Sequence, residues 1–246
     1  MNFAHFFETN DSIAEGYGFP YFGKLHIGWL VVLALTVVLN CLFYRKMNEK
    51  ARDRWRKVIA WLLVADELFK VGILTYAGRY TAGYLPFHLC SINIFMILFH
   101  VYRPTVVVDN FLYTVCIPGA LAALLFPSWS NLPLTSGMHL HSFTVHILLF
   151  MYPVVLAING DIKPDVKQLG KSLGLMVLMA IPIYGINLLL DTNFMFLMYA
   201  EEGNPLYFFE TIWGSHLLGF PVIIAGVLLV LYGPLLLYKK LRKKVL

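Results

Sequence analysis

The stretch Leu25–Tyr44, which reads LHIGWLVVLALTVVLNCLFY, decides the class of fold. Its 20 residues include no Lys, Arg, Asp or Glu. About 20 mostly apolar residues make a helix long enough to cross the hydrocarbon core of a bilayer. The stretch therefore predicts a transmembrane helix close to the start of the chain.

The composition of the rest of the chain agrees with this prediction. Of its 246 residues, 59% are hydrophobic and 13% are charged, whereas about 25% of the residues in a soluble domain are charged. We expect an all-α, polytopic membrane protein with one membrane domain over residues 1–246. The net charge of +5 does not indicate nucleic-acid binding, because the basic residues cluster beside the apolar segments.

Further apolar segments predict a bundle of about seven transmembrane helices, whose two termini lie on opposite sides of the membrane. The predicted spans are Leu25–Tyr44, Val58–Ala77, Leu85–Tyr102, Phe111–Phe126, His139–Asn159, Leu173–Leu190 and Ile212–Tyr238.

The distribution of basic residues predicts the orientation of this bundle. Three of the connections and the carboxyl-terminal tail hold 16 of the 19 Lys and Arg residues. Because short cytoplasmic loops are enriched in Lys and Arg, we expect the amino terminus outside and the carboxyl terminus inside.

Several polar side chains lie within these apolar segments. Intramembrane polar and ionisable groups are rare and are candidates for function. A thiol with a nearby imidazole can serve either nucleophilic catalysis or metal binding. The candidate residues are Cys90 and His146, with Asp66, Glu67, Lys70, His88, Asn93 and His139 in supporting roles.

Helical geometry predicts how these groups are arranged. At the rise of an α-helix, Cys90 lies roughly 8 Å and His146 roughly 10 Å inside the ends of their predicted spans. On the predicted third helix, Cys90 shares a face with Asn93 and not with His88. On the second helix, Lys70 can pair with Asp66 or Glu67. These charges either fix helix packing or orient an imidazole, and the sequence leaves both roles open.

The order of several motifs resembles a known family. The motifs are LPFHLC from Leu85, PGALAALLFP from Pro118, the His139–His146 segment and NFMFL from Asn193. Together they resemble the YwaF-like bacterial integral membrane proteins, which are related to animal transmembrane protein 164, a lipid acyltransferase using a cysteine and a histidine. The resemblance covers most of the chain, and it implies a multi-pass protein of the bacterial cytoplasmic membrane.

The resemblance also implies a chemistry. It assigns the family's cysteine to Cys90 and its histidine to His146, and it implies acyl transfer or ester hydrolysis on phospholipids or lysophospholipids without a cofactor. Two alternatives remain open from the residues. One is a zinc site using His88, Cys90, His139 and His146. The other is a transporter or channel whose polar path includes Asp66, Glu67, Lys70, Asn187 and His216.

Overall fold

The computed structural model describes residues 5–200 and 204–245, with side chains as far as Leu237. Within these residues the regular secondary structure is entirely helical. The chain divides into two compact units, Met1–Pro164 and Asp165–Leu246. The single membrane domain of residues 1–246 stays a prediction.

Unit 1 has six α-helices among the described residues, and the candidate residues lie on or next to the second, third and sixth of them. A five-residue π-helical turn, Leu112–Cys116, joins the fourth helix to the fifth. The helices are α1 (Lys24–Lys46), α2 (Glu49–Tyr76), α3 (Leu89–Tyr102), α4 (Val106–Phe111), α5 (Ile117–Leu125) and α6 (Gly137–Asn159).

Helix α6 is the centre of unit 1, and it packs against α1, α2, α3 and α5. It begins where the Ser136 hydroxyl accepts a hydrogen bond from the His139 amide, an N-cap interaction. It ends at Gly160, whose φ of +82° suits a residue without a Cβ. Since α6 contacts four other helices, its side chains line most of the interior of the unit.

A proline inside α6 explains the position of a cysteine. Pro153 has no amide hydrogen, so the carbonyl of Leu149, four residues earlier, lacks its helical donor. The thiol of Cys116, at the end of the π-helical turn, donates to that carbonyl with an Sγ–O distance of 3.3 Å. This contact joins the π-helical turn to α6.

Six segments are long and apolar enough to span a membrane, so the chain is a polytopic helical membrane protein. They are Lys24–Lys46, Ala82–Tyr102, Val106–Leu125, Gly137–Asn159, Val166–Leu190 and His216–Leu237.

Helix α2 corresponds to the second predicted span, Val58–Ala77, which is not among these six. Three ionisable residues near its middle make it less apolar than they are. Its two ends contact opposite ends of unit 1. Near its start, Arg52 contacts Asp161, which follows α6, and at its end Tyr76 packs on Phe7, which precedes α1. Helix α2 therefore runs the full length of unit 1.

Unit 2 contains α7 (Leu169–Leu190), α8 (Pro205–Trp213) and α9 (Gly219–Val245). The predicted span Ile212–Tyr238 starts too early, because the chain turns at Gly214, with φ +69°, between α8 and the last span. Asn187 in α7 holds the NFMFL segment: its amide donates to the Phe194 carbonyl at 3.0 Å and accepts from the Phe194 amide at 2.8 Å. These hydrogen bonds account for the burial of Asn187, which the transport alternative had assigned to a polar path.

Candidate active site

Helices α3 and α6 run in the same direction, in a register that two contacts define. The His100 ring and the Tyr152 hydroxyl, 52 residues apart in sequence, are hydrogen-bonded at 2.8 Å. Ser91 on α3 contacts Glu67, and Thr144 on α6 contacts the adjacent α2 residue Asp66. Ser91 and Thr144 are therefore at nearly the same level, which agrees with the sequence separation of His100 and Tyr152. With this register, the backbone of Cys90 is level with Ser142, one turn before His146.

Cys90 lies in the first turn of α3, which starts at Leu89 rather than at the predicted Leu85. His88 is the N-cap residue with an extended backbone, so the prediction that His88 lies on the helix with Cys90 is wrong. The preceding residues, Leu85–His88, form a turn. Glu67, level with Ser91, lies about 13 Å from the end of α2 at 1.5 Å per residue, and the depth of the thiol in a bilayer stays a prediction.

A buried ion pair stands beside this first turn. The Lys70 ammonium contacts the Glu67 carboxylate at 2.5 Å, and the Ser91 hydroxyl donates to the same carboxylate oxygen at 3.4 Å. Lys70 and Glu67 both act electrostatically on the Cys90 thiol. The thiol therefore stands next to a buried ion pair at the start of α3.

The His146 ring is held in one tautomer by its own helix. Its Nδ1–H donates to the Ser142 carbonyl at 2.7 Å, which leaves the lone pair on Nε2. The ring stacks on Trp129, with centroids 5.1 Å apart and planes inclined by 15°. Among the described residues, Nε2 has no hydrogen-bond partner. The ring therefore offers a free base to any ligand that reaches it.

Two other polar groups near this level lack partners among the described residues. Asn93 is 1% exposed, and its Oδ1 makes no hydrogen bond. The indole N–H of Trp129, on the ring that stacks against His146, is also buried and unpaired. Buried unpaired polar atoms are uncommon in folded proteins and call for an explanation. A ligand with polar atoms would satisfy such groups.

Cys90 and His146 are not joined by a hydrogen bond in the described part of the chain. The side chain of His146 reaches back toward Ser142, because side chains on a helix tilt toward its N-terminus. The imidazole is therefore at the level of Cys90. Their predicted pairing as nucleophile and base stays a prediction.

Asp66 is close to a histidine that the sequence analysis left out of the site. His141 Nδ1 lies 3.4 Å from Asp66 Oδ1, and the Thr144 hydroxyl lies 3.1 Å from Asp66 Oδ2. The sequence left open whether Asp66 or Glu67 orients an imidazole such as that of His146, and the imidazole that Asp66 contacts is that of His141. The sequence signal was present, because His141 and Thr144 are three residues apart on one face of α6.

His139 has a structural role. Its Nδ1–H donates to the Leu132 carbonyl at 2.9 Å, and its Nε2 accepts from the Trp29 indole at 2.9 Å. Both ring nitrogens are used, so His139 connects α6 to α1 and to the α5–α6 loop. The ring of His88 is near Lys70 and Glu67 and hydrogen-bonds to the backbone of Gly83.

The zinc alternative receives no support from the described residues. Within residues 5–200 and 204–245, there is no group of three or more His, Cys, Asp or Glu side chains that could hold a metal ion. Of the four proposed ligands, His139 already uses both nitrogens within the protein. The geometry gives no arrangement for a tetrahedral site.

Comparison with known proteins gives one match. No curated protein and no solved structure matches the chain significantly. The profile of the TMEM164 family matches residues 21–232, which is most of the chain and includes every residue of the candidate site. The protein is therefore a member of the TMEM164 family.

Proposed function

We propose that the protein is a membrane-embedded acyltransferase or ester hydrolase that acts on phospholipids, with Cys90 as the nucleophile and His146 as the general base. Family membership and the resemblance to a lipid acyltransferase support the reaction class. The observation that carries the assignment is the hydrogen bond from His146 Nδ1–H to the Ser142 carbonyl, which leaves the Nε2 lone pair available as a base. The register of α3 and α6 supports a position of this ring near Cys90.

In the first half-reaction, His146 Nε2 accepts the thiol proton while Cys90 Sγ attacks the ester carbonyl of the donor lipid. The carbonyl oxygen becomes an oxyanion, for which the Asn93 amide and the backbone N–H groups at the start of α3 are candidate donors. The carbon–oxygen bond breaks, and His146 returns the proton to the leaving alkoxide. The products are a lysolipid and a thioester on Cys90.

In the second half-reaction, His146 takes the proton of an acceptor hydroxyl, whose oxygen attacks the thioester. The carbon–sulfur bond breaks, and the thiolate recovers its proton. A lysophospholipid acceptor gives a new phospholipid, and water gives a free fatty acid.

The test is acyl turnover by the purified protein in phosphatidylcholine nanodiscs with a labelled acyl chain and lysophosphatidylcholine. Cys90→Ser and His146→Gln should each lower turnover by about 10²- to 10⁴-fold, since each removes a participant in proton transfer or attack. Cys41→Ser is the matched control, because Cys41 is a half-buried thiol on α1 outside the site, and it should retain native turnover.

Chemical trapping gives an independent readout. A lipid-mimetic chloroacetamide should modify Cys90 in the native protein and leave Cys41 and Cys116 unmodified, as mapped by mass spectrometry. His146→Gln should suppress this labelling. Equal labelling of all three thiols, or full activity of Cys90→Ser, would overturn the assignment.

A further inference from the structure

Residues 5–23, which we call the strap, precede α1 and cross one end of unit 1. On one side the Arg79 guanidinium donates to the Phe7 carbonyl at 2.7 Å, and the Phe7 ring lies 5.1 Å from the ring of Tyr76. The strap is thus attached to the end of α2 and to the α2–α3 connection.

On the other side, the strap binds the α5–α6 connection through backbone groups. The Phe19 amide donates to the Ser130 carbonyl at 2.8 Å, and the Asn10 side chain donates to the Ser128 carbonyl at 3.0 Å. The Gly137 amide donates to the Phe6 carbonyl at 2.9 Å. These bonds hold the strap across the end of the bundle from which α6 descends to His146.

Phe19 inserts from the strap into the core above the proposed base. Phe19 is 7% exposed, and its ring lies 5.2 Å from His139 and 5.9 Å from Phe143. Phe143 in turn packs edge-on against Trp129, the residue stacked on His146. Phe19 therefore belongs to the packed apolar layer between that end of the bundle and His146.

One face of α3 carries exposed aromatic side chains. Cys90 is half-buried, and farther along α3 the rings of Phe95 and Phe99 are 50% and 49% exposed. Exposed aromatic side chains on a membrane helix suit contact with acyl chains. This face of α3 can contact acyl chains without displacing the strap, and Cys90 lies on a different face of the same helix.

We propose that the strap is the water seal of the Cys90–His146 site and that it directs the acyl group from the thioester to a lipid hydroxyl rather than to water. This inference rests on the proposed function. Water and a lipid hydroxyl undergo the same reaction at the thioester carbonyl, so the partition between them depends on which molecule reaches the site. Closing a site against water is a known way to prevent hydrolysis of a reactive intermediate.

A substitution at Gly18 can test the seal, because it should displace the strap. A Cβ on Gly18 would lie 2.1 Å from the Ser130 carbonyl oxygen, a backbone atom that cannot move aside easily. Gly18→Ala should therefore displace the strap from the α5–α6 connection. The matched control is Gly28→Ala on α1, where a Cβ would meet nothing within 4 Å.

The experiment measures two products, labelled free fatty acid and labelled phospholipid, in phosphatidylcholine nanodiscs that contain lysophosphatidylcholine. Gly18→Ala and Phe19→Ala should raise the ratio of fatty acid to transfer product by at least about threefold, because water gains access to the thioester. Arg79→Ala removes one hydrogen bond of the strap and should give a smaller increase. Gly28→Ala should keep the native ratio.

Two failures are distinguishable. If the native protein makes neither product, the proposed function fails. If the native protein is active, and hydrogen exchange shows faster exchange of the strap amides in Gly18→Ala or Phe19→Ala without a change in the ratio, the seal is overturned. A variant that loses the fold would lose both products and the Cys90 adduct. In that case Arg79→Ala is the test: a higher ratio of fatty acid to transfer product supports the seal, and an unchanged ratio overturns it.

Discussion

At the scale of single residues, the orientation of His146 comes from within its own helix. Catalytic histidines are often oriented by a carboxylate, but here the Ser142 carbonyl accepts the Nδ1 proton, and Asp66 contacts His141. The nitrogen that keeps its lone pair is therefore set by α6 alone. The carboxylate on α2 can tune the local electrostatics without setting the tautomer.

This arrangement predicts unequal effects of two substitutions on acyl turnover. Asp66→Asn should lower turnover by less than about tenfold, because the ring of His146 keeps its hydrogen bond, whereas His146→Gln should have the much larger effect of losing a general base. Initial rates in nanodiscs compare the two variants. Equal losses would show that Asp66 orients the base after all.

The Glu67–Lys70 pair predicts a stability effect. Glu67→Gln leaves the Lys70 ammonium buried without its counter-charge and should lower the free energy of unfolding by about 3–5 kcal/mol. The double variant Glu67→Gln with Lys70→Met removes both charges and should recover much of that loss. Thermal unfolding in detergent compares the stability of the two variants. If the double variant is as unstable as Glu67→Gln, the pairing is contradicted.

At the scale of elements, the contact between Cys116 and Leu149 predicts coupling between a thiol and a proline. Cys116→Ala should destabilise the native protein by about 1 kcal/mol, because the Leu149 carbonyl loses its donor. In a Pro153→Ala background, the new backbone N–H can bond that carbonyl, and Cys116→Ala should then have little effect. A double-mutant cycle of unfolding free energies tests this, and additive effects would exclude the coupling.

A second group of contacts connects the helices at the end of unit 1 opposite the strap. The His100 Nε2–H donates to Asp109 at 3.0 Å, and the Tyr152 hydroxyl donates to His100 Nδ1 at 2.8 Å. At the same end, Asp161 accepts from Tyr44 and from Arg52. These residues lie on or beside α1, α2, α3, α4 and α6, so their contacts hold the ends of five helices together.

This group predicts that Tyr152→Phe is destabilising. The substitution leaves the buried Nδ1 of His100 unpaired, which should cost about 1–3 kcal/mol of unfolding free energy. Tyr76→Phe is the control, because Tyr76 is 81% exposed. If the two variants melt at the same temperature in detergent, the hydrogen bond between His100 and Tyr152 contributes nothing to stability.

At the scale of the whole molecule, the orientation in the membrane stays a prediction, and it can be tested by thiol labelling. In a background with Cys41, Cys90 and Cys116 replaced by Ser, Glu15→Cys reports on the strap and Glu49→Cys on the α1–α2 turn. A membrane-impermeant maleimide should label Glu15→Cys in intact cells and Glu49→Cys only after permeabilisation. The reverse pattern would mean that the bundle is inverted.

Much of the fold could be predicted from the sequence, because the need to bury about 20 apolar residues per crossing is a local property. The ends of helices that depend on tertiary contacts were harder to predict from the sequence. Leu85–His88 is apolar enough to continue α3, but the chain turns there and the helix begins only at Leu89. Ile212 and Trp213 belong to α8 because Gly214 turns the chain.

The candidate site could be predicted only in part. Apolar context marked Cys90, His146 and the charges on α2, but it does not tell which histidine a carboxylate contacts. His139 and His141 are two residues apart on α6 and face different neighbours, Trp29 and Asp66 respectively. Sequence spacing gives the angle between such side chains and not the element that lies opposite each of them.

The strap has a consequence for the order in which the protein is made. Asn10 and its acceptor Ser128 are 118 residues apart along the chain, so the strap leaves the ribosome long before the loop that it binds. It can dock only after α5 has been synthesised, and ordering so long a loop costs conformational entropy. Segments that dock through a few long-range contacts are the first to open in the native state. The proposed seal would therefore close last, after the helices beneath it have assembled.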